Sequence, residues 1–169
     1  MRSLSLGQPT TVGALAAGAC FAFDWHGQSF IGLKVIDDFA AHPVAVCAAI
    51  WPGHSDLGDG PTFLDGSFGP STAVYELANT MIVPSTELGA WRVGADLAGS
   101  PGVVVLARDR VLMGISRLNG RLAFVDLAAG KTTPLPEATP LLHVSGWSLV
   151  QKVLDGYETL CRYAALPEA

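Results

Sequence analysis

The chain is short of charge. Of its 169 residues only 10 are Lys or Arg and 15 are Asp or Glu, 15% in all, while half are hydrophobic. Globular chains carry about 25% charged residues, so some apolar surface is expected to stay exposed as a face for self-association or for a protein partner. The formal charge of −5 and the lack of any basic run argue against nucleic acid, whose phosphates need clustered Lys and Arg. An anionic membrane surface is excluded on the same ground.

Cysteine is scarce too. Cys20, Cys47 and Cys161 are odd in number and far apart, which is no disulfide framework and points to a reducing, cytoplasmic setting. No C-x2-C clip exists, so zinc would have to gather Cys20, His26, His42 and Cys47, and strand alternation turns Cys20 away from that set; no metal and no other cofactor is expected. Apolar runs long enough to cross a bilayer as a helix are also missing, as glycine, proline and polar residues break each candidate. Met1-Arg2 followed by LAAGAC up to Cys20 has the outline of a lipoprotein leader, but Gln8, Pro9, Thr10 and Thr11 interrupt its apolar part.

Catalytic signatures are absent in the same way. Asp65-Gly66-Ser67-Phe68-Gly69 lacks the first glycine of a nucleophile elbow, and Gly130-Lys131-Thr132 lacks the leading glycine and context of a phosphate loop. Cys47 lies inside an apolar run, where a thiol is inert.

What is present begins with a repeat. VGALAAGACFAFDWHGQSFIGLKV, 12–35, returns in degraded form as VGADLAGSPGVVVLARDRVLMGIS, 93–116. Val12-Gly13-Ala14 matches Val93-Gly94-Ala95, and Leu15-Ala16 matches Leu97-Ala98 after one inserted residue. Gly32 falls on Gly114 with an agreeing apolar pattern around it. The period is near half the chain, which is the mark of duplication; chance matching in an Ala-, Gly- and Leu-rich sequence is the competing reading.

Alternation with period two predicts a hairpin from Ala19 to Ile36, turning at Trp25-His26-Gly27-Gln28. Val44–Trp51 reads as a strand buried on both faces. A short helix from Ser71 to Asn79 is expected to feed a strand at Thr80–Val83. Val103–Leu106, Val111–Ser116 and Arg121–Leu127 form a β-meander, with Asn119-Gly120 at one turn. From Ser148 the spacing of Leu149, Val150, Val153, Leu154, Tyr157, Leu160 and Cys161 suggests an amphipathic helix over 148–164, capped by Ser148 and Gln151, with Gly156 as its weak point. The expected fold is mainly β: seven to nine antiparallel strands in a small barrel or sandwich, candidate duplicate halves at 1–84 and 85–169, and that C-terminal helix.

Residues 51–70 hold five glycines and three prolines with no periodicity, a loop long enough to suggest function. His54, Asp56, Asp59 and Asp65 within it could bind a hard cation or supply a general base, although Asp and Gly are also ordinary turn residues. Trp25, Trp51, Trp91 and Trp147 at strand ends or loops, and Tyr157 on the helix face, are candidate binding residues. The function expected is a non-enzymatic binding or assembly module acting as a homo-oligomer through protein contacts. A metal-dependent hydrolase sited in loop 51–70 is the alternative, and a small-ligand barrel with Trp25 and Trp51 at its rim is a third reading.

Overall fold

Strand structure continues as far as residue 164, the last one described. The computed structural model describes residues 7–38, 44–51, 60–64, 66, 68–93, 100–117, 119–135 and 141–164, and it is mainly β, with antiparallel and mixed sheets. The strands are β1 Gln8–Thr11, β2 Cys20–Trp25, β3 Gln28–Asp37, β4 Val44–Trp51, β5 Thr62–Phe63, β6 Ala73–Glu76, β7 Thr80–Pro84, β8 Trp91–Val93, β9 Val104–Ala107, β10 Arg110–Ser116, β11 Leu122–Asp126, β12 Lys131–Thr133, β13 Leu142–Val144, β14 Gly146–Val153 and β15 Gly156–Ala164. Two single 3-10 turns, Val12–Ala14 and Leu88–Ala90, are the only helical pieces among the described residues.

The expected C-terminal helix is a hairpin. Residues 148–164 form most of β14 and all of β15, and Ser148 pairs with Val83 on one side and Arg162 on the other instead of capping a helix. Trp147 and Leu149 point into the core while Ser148 and Val150 are half-exposed, which is strand alternation. Gly156 sits at φ +144°, a backbone region L side chains avoid, and closes the turn through Leu154 and Asp155. The 3.6-residue spacing arose because the hairpin tip carries Val153, Leu154 and Tyr157 exposed. Branched and aromatic residues such as Val150, Val153, Tyr157 and Thr159 favour the pleated form. The expected helix at Ser71–Asn79 is likewise replaced, by β6 and a turn at Asn79 (φ +56°), because Val74 is buried and its neighbours Ala73 and Tyr75 are exposed.

The expected 19–36 hairpin and the strands of the expected meander are in place. Trp25 pairs with Gln28 across His26 and Gly27, both at positive φ, and Ala107 pairs with Arg110 across Arg108 (φ +54°) and Asp109. The meander β9-β10-β11-β12 is continuous and antiparallel. Asp126 closes its last turn by accepting the Ala128 and Ala129 amides on Oδ1, each at 3.0 Å.

Two sets of six strands, β1–β6 and β8–β13, make the same pairings in the same order. Ala22 pairs with Ile31 as Val104 pairs with Met113, with one offset relating both members of the pair. Pro9 pairs with Tyr75 as Trp91 pairs with Val144, and Ala22 with Tyr75 as Val104 with Val144. Gly32 opposes Ala49 as Gly114 opposes Phe124. The sets exchange strands through two parallel joints, β12 with β3 (Lys131 to Ile36) and β5 with β10 (Thr62 to Ser116). The pairing therefore returns on itself through β3, β4, β5, β10, β11 and β12. A separate sheet, ordered β15-β14-β7, joins the ends of the two sets, and within it Met81 pairs with Val150.

Burial follows the same correspondence. Ala22, Ile31, Leu33, Ala48 and Ile50 meet Val104, Met113, Ile115, Ala123 and Val125 in one central core. The opposite faces of the same strands fill two outer cores, one with Phe21, Phe23 and Phe30, the other with Val103, Val105 and Leu112. β4 is accordingly buried on both faces over Ala48–Ile50. Each fully buried large apolar side chain contributes about 1.5–3 kcal/mol.

Candidate functional site

Loop 51–70 is only partly described, and His54, Asp56, Asp59 and Asp65 lie outside the described residues, as does His42. The described parts of the loop are structural. Thr62, Phe63 and Leu64 are buried, Pro61 accepts the Ser116 amide at 2.9 Å, and Phe68 stands edge-on to Phe23 with centroids 4.8 Å apart. Cys20 faces the central core and Cys47 an outer one, so those two do not converge. Among the described residues no group of three or more His, Cys, Asp or Glu side chains is placed to hold a metal ion.

The aromatic candidates fall in separate places. Trp25 ends a ladder of rings through Phe30, Phe23 and Phe21, half-buried and stacked on His26. Trp51 closes β4, packed against the central core. Trp147 is 1% exposed, donates its indole N–H to the Gly102 carbonyl at 3.0 Å and stacks on Tyr163, which leaves its ring no free surface. Trp91 donates to the Ser85 carbonyl at 2.6 Å. Tyr157 is exposed near the hairpin tip.

A cleft of about 630 Å3 opens instead where the two strand sets meet. It is lined by Asp37, the turn residues Arg117, Asn119 and Arg121, the β11 residues Leu122, Ala123 and Phe124, and Thr133, Pro134 and Leu135. Asp37 closes β3 and is buried, a position that requires a partner for its charge. Arg117 Nη2 donates to Asp37 Oδ2 at 2.8 Å, and Thr132 Oγ1 donates to Asp37 Oδ1 at 3.0 Å. The Asp38 amide in turn donates to Thr132 Oγ1 at 2.9 Å, which ties β3 to β12 beside their parallel joint. The Arg117 guanidinium carbon stands 5.2 Å from the centre of the Phe63 ring, a cation–π contact on the other joint strand. Arg110 reaches the rim, donating to Thr133 Oγ1 at 3.2 Å. Asn119 Oδ1 accepts the Arg121 amide and Gly120 takes φ +76°, so the turn that presents Arg117 and Arg121 is held locally.

None of the candidates chosen from the sequence is among the described residues that line this cleft. A signal was available: five of the ten Lys and Arg residues, Arg108, Arg110, Arg117, Arg121 and Lys131, fall between 108 and 131. The cations are therefore concentrated in the second meander, not evenly spread. Chemically the cleft combines guanidinium donors with an apolar floor, which suits binding; its described residues include no nucleophile paired with a base. No protein-family model, curated protein sequence or solved structure matches this chain.

Proposed function

We propose that the chain is a non-enzymatic assembly module, built from an internally duplicated β unit closed into a small barrel, that acts as a homo-oligomer. The observation that carries this reading is the outer face of the sheet β15-β14-β7. Met81 and Val83 of β7 and Tyr157 of β15 are exposed there, with Val150 half-exposed between them. Pairing register puts all four on the same side of the sheet, opposite to Trp147 and Leu149. Scattered apolar residues need no explanation, but a row of them on one sheet face, in a chain this poor in charge, is the composition of an interface.

A second copy of the chain is the occupant proposed. Met81 and Val150, on the strands that follow the two sets, pair with one another and are related by the same offset as Tyr75 and Val144, so the face is centred on the relation between the halves. Lys152 and Arg162 share that face, and Asp155 lies in the turn at its hairpin end, so a copy turned by a two-fold rotation brings this acid toward those bases. The hydrolase alternative gains nothing from the described geometry.

The test is the mass of the native protein by light scattering and native mass spectrometry at micromolar concentration. A dimer that Met81→Lys with Tyr157→Asp converts to a monomer, with far-ultraviolet circular dichroism unchanged, supports the reading. A wild-type monomer rejects it, and a variant that stays dimeric rejects this face.

A further inference from the structure

The two outer cores are corresponding places with different fillings. In the first half, Cys47, Ala49 and Leu64 lie buried under Val12, Leu15 and Phe68. The same register positions in the second half are Leu122, Phe124 and Leu135, and these line the cleft. Phe124 and Leu135 are only partly buried there, packed against Val103, Val105 and Leu112. A phenyl ring in place of Ala49, left half-exposed beside about 630 Å3 of open volume, is an apolar floor without a described cover. That volume lies within the range of about 300–1,000 Å3 typical of small-molecule sites.

The rim sets the sign of the charge. Asp37 is the only carboxylate among the described residues of the lining, and each of its oxygens already accepts a hydrogen bond, from Thr132 and from Arg117. Arg117 spends one N–H on Asp37, and a guanidinium has five. Arg121 is exposed, with no acid within ion-pair distance among the described residues. The cleft is thus one positive charge in excess, in a chain of net charge −5. A long basic stripe for a polyanion is lacking among the described residues. Two neighbouring guanidinium groups above an apolar floor match a small anion with an apolar body, because guanidinium pairs with carboxylate in two parallel bonds.

We infer that this cleft binds an amphipathic carboxylate, with its head on Arg117 and Arg121 and its chain or ring on Leu122, Phe124 and Leu135.

The experiment titrates octanoate into the wild-type protein by calorimetry and by saturation-transfer NMR, with octylamine, octanol and inorganic phosphate as comparison probes. The result expected is saturable binding of octanoate, at least tenfold weaker binding of octanol, none of octylamine, and no displacement by phosphate. Arg121→Glu, a surface substitution, weakens octanoate at least tenfold with an unchanged melting temperature, and Phe124→Ser weakens octanoate and octanol alike. Absence of saturable octanoate binding at millimolar concentration overturns the inference. So does equal binding of octylamine, displacement by phosphate, or indifference to Arg121→Glu; the Arg121→Gln variant decides should the Glu variant fail to fold.

Discussion

Asp37 and Arg117, 80 residues apart, form a 2.8 Å ion pair where the two strand sets exchange strands. Each sits on the joint of the other half: Asp37 accepts from Thr132 of β12, and Arg117 covers Phe63 of β5. The pair therefore couples β3–β12 to β5–β10. Removing one partner leaves a buried charge unsatisfied, which costs about 3–5 kcal/mol, whereas replacing both by apolar residues of similar volume is close to neutral. Arg117→Met is expected to lower unfolding stability by roughly 3 kcal/mol, and Asp37→Leu with Arg117→Met to recover most of that loss. Urea denaturation of the two singles and the double decides it; additive losses would mean the pair does not act as a unit.

Gly130 supports the β3–β12 joint as well. It lies at φ +63°, its carbonyl accepts the Ile36 amide at 2.8 Å, and an added Cβ would overlap the backbone of Ala17 and Gly18. Backbone cannot retreat as a side-chain tip can. Gly130→Ala is expected to destabilise by at least about 2 kcal/mol, through strain at positive φ together with the overlap. Gly27, at φ +79° with nothing within 4 Å of its added Cβ, should lose only the conformational part, on the order of 1 kcal/mol. Thermal unfolding of the two variants side by side separates crowding from φ strain.

The thiols give a pH signature. Burial pushes Cys20 up to about 11, against a smaller lowering by the Thr80 hydroxyl. Burial likewise pushes Cys47 up to about 11 and Cys161 to about 12. Each folded value lies above the ordinary thiol value of 9.0, so the native state holds the proton more tightly. The stability this provides is present in full below pH 9 and is lost as pH rises through 11 to 12. For Cys20 the loss is on the order of 2–3 kcal/mol. Chemical denaturation between pH 8 and 11 should show falling stability, with a shallower fall in Cys20→Ala. At pH 8 a thiol reagent should label none of the three cysteines until denaturant is added; rapid labelling of the native protein would contradict their burial.

The β class, the 19–36 hairpin and the strands of the meander could be read from the sequence because each rests on neighbouring residues. His26-Gly27 and Gly120 adopt positive φ locally, and Phe21, Phe23 and Phe30 alternate whatever lies across from them. Gly32 and Gly114 were legible as a match because a side chain at either would meet a neighbour, the Phe21 ring at 2.6 Å or Leu122 at 3.2 Å. The rest of the correspondence was hidden by spacing. The offset between corresponding residues is widest from Gly32 to Gly114, narrower from Ala49 to Phe124 and narrowest from Tyr75 to Val144. Longer connections in the first half, such as 52–61 against 127–130, shift the frame. The C-terminal hairpin was misread because its exposed tip is as apolar as a buried helix face. Of the cleft only its cations were legible, as the cluster of Arg and Lys at 108–131; its geometry was not, because Asp37 and Arg117 meet only through the exchange of strands between halves.

That exchange predicts how the halves behave apart. β5 finds a partner in β10 and β12 in β3, and β7 pairs with β14, so a break near Glu87 leaves the edges of both halves open. The central core would be split as well, with Ile31, Leu33 and Ile50 on one fragment and Met113, Ile115 and Val125 on the other. Neither fragment retains a core closed on both faces, and unpaired strand edges with exposed apolar faces aggregate or stay unfolded. Fragments 1–87 and 88–169, expressed separately, should show little β signal in circular dichroism and exchange amide hydrogens within seconds. Mixed from denaturant they should regain the spectrum of the whole chain, and the whole chain should unfold in one transition seen alike by fluorescence and circular dichroism. A fragment that folds alone, or two separated transitions, would mean that each half completes its own core and that the β5–β10 and β12–β3 joints merely dock two finished units.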